Sequence, residues 1–260
     1  MPPVPTRTLV AGPLAVMYAV MCAAIATGCA APRQPPASQR SAAAPVESSA
    51  PSGGSARPYT GEAVRSIVRV TGTAHACDRD VEGTGFVYAR ERVMLTAHTV
   101  AGADRNLKVS LADGRGFDAE VVVFDPLVDI AVLLVEGLPS PSLPLQVKRE
   151  ASAMVIGYEE GGTTPSVQPA IVGDRVPAES RGIYDDQLVE FDSYSFRGPR
   201  VWRGMSGAPL VSRDERVLGM VFAADTDLEE KGYALTARQL STAAKAGRRA
   251  TVPVSTEGCA

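Results

Sequence analysis

Histidine is scarce in this chain: His75 and His98 are the only two among 260 residues. A reaction that moves a proton through an imidazole near neutral pH must use one of them. With four cysteines besides, no Cys/His spacing of a zinc site occurs, and neither a metal nor a cofactor is expected. The 26 basic residues are scattered and outweighed by 29 acidic ones, for a formal net charge of −3. No basic stripe with interleaved aromatics is present, which argues against nucleic acid as a partner. No internal repeat is evident.

Long apolar runs are also missing, with one exception at the amino terminus. Arg7 is the only charge before a mostly apolar stretch from Leu9 to Thr27. Gly12 and Pro13 interrupt it near its start, as suits a signal peptide better than a stable membrane helix. It ends in Ala26-Thr27-Gly28-Cys29, which resembles a bacterial lipobox with Ala in place of the usual first Leu. Three readings stand: a lipoprotein acylated at Cys29, an uncleaved signal anchor, or a secreted form. Each puts the folded part across the cytoplasmic membrane, in the cell envelope. Residues 30–60 are mainly Pro, Ser, Ala, Gly and Gln, too poor in apolar groups to offset ordering entropy, and are expected to be a disordered tether.

Residues 61–260 are then the folded unit, long enough for one large all-β sandwich or barrel. Short β-rich runs alternate with turn clusters: Val64 to Val70, Thr84 to Tyr88, Val93 to Thr96, Leu107 to Leu111, Phe117 to Phe124 and Ile130 to Val135. Ala153 to Tyr158, Gln187 to Phe191, Ala208 to Ser212 and Val217 to Phe222 continue the series, and Asp113-Gly114 marks a hairpin. A helix is predicted from Thr236 to Ala246, with Lys245, Arg248 and Arg249 near its end. Two cysteines of this unit, Cys77 and Cys259, form an even pair in an oxidising compartment, and a disulfide between them is expected.

His98 follows the run Met94-Leu95-Thr96-Ala97, where an apolar segment gives way to a small-residue turn. Asp129 stands at the mouth of the apolar run Ile130-Ala131-Val132-Leu133. A carboxylate there is costly to bury without compensation, and an imidazole N–H can supply it. Asp125 is the rival acid, but Pro126 after it makes a turn role the better reading. Ser206 lies between Gly204 and Gly207, where a tight turn can expose its hydroxyl and let backbone N–H groups converge. The α/β-hydrolase elbow is excluded, because it needs a second glycine two residues after the serine.

The order His98, Asp129, Ser206 across an all-β chain is that of the chymotrypsin-like peptidases, and the local strings resemble their bacterial trypsin-like members. Gly83-Thr84-Gly85-Phe86, Thr96-Ala97-His98, Asp129-Ile130-Ala131-Val132-Leu133 and Gly204-Met205-Ser206-Gly207-Ala208-Pro209-Leu210 are similar to that family's motifs, including those of the mycobacterial periplasmic acid-resistance type and of HtrA-type protease domains. Val217 to Phe222 looks like the family's pocket-lining strand, and Gly232 to Leu235 like its final strand. The resemblance implies two six-stranded β-barrels with a carboxyl-terminal helix. It also implies a serine endopeptidase acting on protein or peptide substrates, with a catalytic triad of His98, Asp129 and Ser206 and an oxyanion hole from the N–H groups of Gly204 and Ser206. Arg200 would lie near the floor of the substrate pocket, with Phe222, Ala223 and Ala224 forming one wall. The length after Ser206 is taken up by the last strands and helix, so no appended peptide-sensing domain is expected.

Three positions depart from the family. Met205 stands where most members have Asp or Asn, a residue that helps order the oxyanion loop. Ala208 replaces a Gly or Ser, and the threonine of the His box is two rather than three residues before His98. Met205 is the feature that favours an alternative from another class, a non-catalytic binding or scaffold lipoprotein of the same fold.

Overall fold

In a computed structural model, residues 61–184, 187–198 and 200–259 are described. The apolar amino-terminal run, Cys29 and the Pro/Ser/Ala-rich segment lie outside them. Seven strands make a first antiparallel sheet: β1 (Ile67–Ala74), β2 (Arg79–Ala89), β3 (Arg92–Leu95), β4 (Arg105–Ser110), β5 (Gly116–Asp118), β6 (Glu120–Asp125) and β7 (Ile130–Leu134). Their order is β5-β4-β1-β2-β3-β7-β6. Six more close into a barrel: β8 (Ser152–Gly157), β9 (Ser166–Ser180), β10 (Val189–Arg197), β11 (Pro209–Val211), β12 (Val217–Ala224) and β13 (Lys231–Thr236), in the order β10-β13-β12-β11-β8-β9. A four-residue helix, α1 (Ala97–Val100), follows β3, and α2 (Ala237–Gly247) follows β13.

The first sheet has one strand more than the six expected. The run from Phe117 to Phe124 is divided at Ala119, whose N–H donates to Leu107 O at 3.0 Å. The run from Val64 also starts late as a strand, because Glu62–Ser66 forms a 3₁₀ turn.

The strands with continuous apolar sequence are buried on both faces, and the period of two divides their side chains between different cores. In β7, Ala131 and Leu133 point into a core inside the first sheet. Ile130, Val132 and Leu134 point the other way, into a core shared with the barrel and α2. Phe86 and Tyr88 of β2, Met94 of β3, Ile156 of β8 and Leu240 of α2 belong to that shared core. A third core fills the barrel with Val155, Val172, Leu210, Leu218 and Val221. The two sheets are thereby held as one body along a buried seam.

The helix predicted near the carboxyl end is present one residue later than expected. Thr236 caps it, its hydroxyl accepting the Gln239 N–H at 3.2 Å. Arg92 fixes its far end. This guanidinium is buried and donates to Gly247 O at 2.7 Å, one of the carbonyls that a helix terminus leaves open, and to Ala250 O at 3.0 Å in the segment that follows. The chain then runs along the first sheet. Val254 N–H donates to Val121 O at 2.8 Å, Thr256 Oγ1 donates to Ala103 O at 3.0 Å, and Thr256 O accepts the Gly102 N–H at 3.1 Å. This brings Cys259 to Cys77, with the two sulfurs at bonding distance, 2.03 Å.

Replacing Arg92 with leucine removes the donors and leaves two carbonyls without partners. The loss is expected to be about 2–3 kcal/mol, read as a lower urea midpoint at unchanged slope.

Candidate active site

The three residues singled out by sequence meet in the structure. His98 is the second residue of α1, the single turn that follows β3. Thr96 and Thr99 anchor this turn, their buried hydroxyls hydrogen-bonded at 2.7 Å. Asp129 precedes β7 in a left-handed conformation, φ 57°. Asp tolerates that region better than most residues, at some cost in strain. The preceding turn is built by Asp125, whose Oδ1 accepts the N–H groups of Leu127 and Val128 at 3.2 and 3.3 Å. Asp125 is thus the turn residue that the sequence suggested.

Asp129 holds His98 at two points. Its Oδ1 accepts the His98 backbone N–H at 2.8 Å, and its Oδ2 lies 2.7 Å from Nδ1. A carboxylate cannot donate, so Nδ1 is the donor, and in a neutral imidazole Nε2 then presents a lone pair. That lone pair faces the Ser206 hydroxyl at 3.0 Å. The side chains of His98 and Asp129 are 34% and 16% exposed, so the chain of hydrogen bonds is sheltered yet open at its serine end.

The loop carrying Ser206 is fixed from several sides. Gly207 (φ 87°) leaves no room for a side chain, since a methyl there would strike the Thr84 carbonyl. Gly204 (φ 88°) is pressed against the segment from Tyr158 to Glu160. The Glu160 N–H donates to Arg203 O at 2.8 Å. Because a trans peptide points its C=O and N–H in opposite directions, the Gly204 N–H is turned away from that segment. Neither it nor the Ser206 N–H has an acceptor among the described residues.

Met205 answers the question raised by the missing Asp or Asn. Its side chain is 0% exposed and joins the barrel core with Leu210, Leu218 and Val221. The Trp202 N–H points at its sulfur, 3.4 Å away, while its own N–H donates to Trp202 O at 3.1 Å. Apolar burial here does the anchoring that a charged group would do with an ionic partner.

The expected pocket residues are more dispersed. Phe222 turns its ring onto Phe191 edge-on, centroids 5.5 Å apart. Ala223 is half-buried and Ala224 exposed, opposite Tyr233 and Gly232 of β13. Arg200 is exposed, pairs with Glu229 at 3.0 Å and lies over the Trp202 ring, 4.4 Å from its centroid. Sequence reading missed the group next to Ala224. There Asp225 Oδ2 accepts from Lys231 Nζ and from the Tyr233 hydroxyl, each at 2.8 Å. The Lys231 ammonium, with help from Tyr233, holds the Asp225 carboxyl well below the usual range. Only pairing across β12 and β13 reveals this cluster, since Asp225 and Lys231 belong to no recognisable motif. No group of three or more His, Cys, Asp or Glu side chains suited to a metal occurs among the described residues.

Comparison with known proteins bears on the family and the fold. Residues 83–220 match the trypsin-like peptidase domain. The serine protease Rv3671c of Mycobacterium tuberculosis is 40% identical over 199 residues, 75% of this chain and 49% of that protein. The chain therefore spans about half the length of that curated relative. The crystal structure of the Rv3671c protease in its active form superposes with a TM-score of 0.72 at 38% identity, covering 78% of this chain and 88% of that one. Its inactive form superposes with a TM-score of 0.64 at 36% identity, covering 73% and 93%. A probable periplasmic serine endoprotease, DegP-like, from Halomonas elongata is 31% identical over 149 residues, 56% of this chain and 30% of that protein. Taken with the match across most of the strands that carry the site, these relatives place the chain in the family of trypsin-like serine peptidases.

Proposed function

We propose that the chain is an extracytoplasmic serine endopeptidase that cleaves protein substrates through an acyl-enzyme on Ser206. The observation that carries this reading is the bridging position of His98, hydrogen-bonded to Asp129 through Nδ1 and to Ser206 through Nε2. Ser206 Oγ attacks the peptide carbonyl while Nε2 takes its proton, and Asp129 stabilises the imidazolium that forms. The N–H groups of Gly204 and Ser206 receive the oxyanion. Collapse of the tetrahedral intermediate breaks the C–N bond as His98 returns the proton to the leaving amine. Water, deprotonated by His98, then hydrolyses the ester and restores Ser206.

The substrate wall on this reading is Phe222 to Ala224, while Arg200, expected near the floor, is exposed and engaged by Glu229 and Trp202. Asp225 is already neutralised by Lys231, which gives no support to a preference for basic side chains. The site is read as formed at rest, because His98 is already hydrogen-bonded to Asp129 and Ser206 and the Gly204 and Ser206 N–H groups have no acceptor among the described residues. The scaffold alternative draws on Met205, and its buried seat in the barrel core offers a way to hold the loop without an acid or amide there.

The amino-terminal apolar run and Cys29 support export and a membrane anchor, by lipid or by the run itself. The periplasmic naming of the Halomonas relative points the same way. Among the described residues no helix is long and apolar enough to cross a membrane. The organisation follows as 1–29 for export, 30–60 as tether and 61–260 as the peptidase domain.

Three outcomes are expected. A fluorophosphonate probe labels the protein at Ser206, and labelling is lost in Ser206→Ala and falls at least a hundredfold in His98→Ala. Absence of labelling in folded wild type would refute the reading. Met205→Asp buries a carboxylate without a partner and should lower stability by about 3 kcal/mol or more, whereas Met205→Leu should cost under about 1.5 kcal/mol; thermal melts compare them. Cys77 and Cys259 are separated by 182 residues. Reduction of their bond, or Cys259→Ser, should lower stability by up to ~5 kcal/mol in the chain-entropy model, seen as a reductant-sensitive melting temperature.

A further inference from the structure

We propose that Thr84 is a positioning residue for the oxyanion hole, setting the backbone of Gly204 through its side-chain hydroxyl. The inference rests on the reading of Ser206 as nucleophile and adds a residue that the triad does not include. Thr84 sits in β2, fully buried and remote in sequence from the serine loop. Its Oγ1 donates to Gly204 O at 2.8 Å and accepts the Tyr158 N–H at 2.9 Å. The direction is unambiguous. A carbonyl can only accept and an amide N–H can only donate, so the single hydroxyl proton goes to Gly204. The backbone of the same residue holds the nucleophile itself, because the Thr84 N–H donates to Ser206 O at 3.0 Å.

The consequence lies in how Gly204 is pinned. A glycine at φ 88° has unusual freedom to rotate the peptides on either side of it. The peptide before it is fixed by the Glu160 N–H on Arg203 O, and the peptide after it by the Thr84 hydroxyl on Gly204 O together with the Met205 N–H on Trp202 O. The Gly204 N–H lies in the first of these planes, so Thr84 acts on it by restricting rotation about Gly204 and by holding Tyr158, two residues before the Glu160 that fixes that plane. Tyr158 and Glu160 belong to the same short segment after β8, so the Thr84 hydroxyl also ties that segment to the loop it supports. Catalysis by a preorganised donor depends on such fixity, since a donor that must reorient gives up part of its effect on the transition state.

Three substitutions test this. Thr84→Val keeps the shape and removes the hydroxyl, Thr84→Ala removes it with less bulk should valine not fold, and Thr84→Ser keeps it. Both deletions are expected to lower kcat on a peptide substrate at least about tenfold while KM changes less than about twofold. Thr84→Ser should restore kcat to within about threefold of wild type. The same order should hold for the rate of fluorophosphonate labelling, with the pH profile of labelling unmoved, since His98 and Asp129 are untouched. Unchanged kcat in folded Thr84→Val or Thr84→Ala would overturn the proposal. So would equal loss in Thr84→Ser, which would mark a packing role. Wild type that neither turns over nor labels would overturn the nucleophile reading and this one together, a result told apart by needing no substitution at Thr84.

Discussion

One imidazole holds together parts of the chain that are far apart. His98 reaches Asp129 across 31 residues and Ser206 across 108, and each partner is delivered by a different element. α1 carries the histidine, the turn before β7 the aspartate, and the loop before β11 the serine. The first two belong to the seven-stranded sheet and the third to the barrel. The hydrogen-bonded row therefore exists only while the two sheets keep their relative position. The shared core from Ile67, Phe86 and Met94 on one side to Ile156, Val217 and Met220 on the other does that work. A rigid apolar seam is what makes a short polar row possible.

The serine loop shows the same division of labour on a smaller scale. Its polar contacts are directional, among them Glu160 to Arg203, Thr84 to Gly204, Thr84 to Ser206, Met205 to Trp202 and Gly207 to Val221. Its position comes from Met205, sunk into the barrel core beneath it. A buried thioether needs no ionic partner, so the loop has no need of a charged group brought from elsewhere to order it. At a position where the family resemblance implies an acid or amide, this chain uses dispersion and the hydrophobic effect.

Much of this was legible before any coordinates. The β-rich runs gave most strands because continuous apolar stretches mark strands buried on both faces. Asp129 is distinguished from Asp125 by its place at the mouth of an apolar strand and by the proline after Asp125, and the turn that Asp125 builds agrees. Other parts carried no signal. β9 is interrupted by Pro169, Gly173 and Pro177, which break its apolar residues into short pieces, so it reads as a loop, although it pairs along its length with β8 and β10. The single turn of α1 is too short for a periodic pattern. The role of Thr84 and the Asp225-Lys231-Tyr233 group depend on which strands lie side by side, which one chain read alone does not reveal.

The central claim is that the site stands assembled at rest, with Ser206 as its nucleophile. The most direct measurement is intact-mass spectrometry of the purified protein mixed with an activated acyl ester, followed by peptide mapping. One equivalent of acyl group should appear on Ser206 without a lag and without prior cleavage of the chain. Acylation elsewhere, or acylation that begins only after the chain has been cut, would contradict the account.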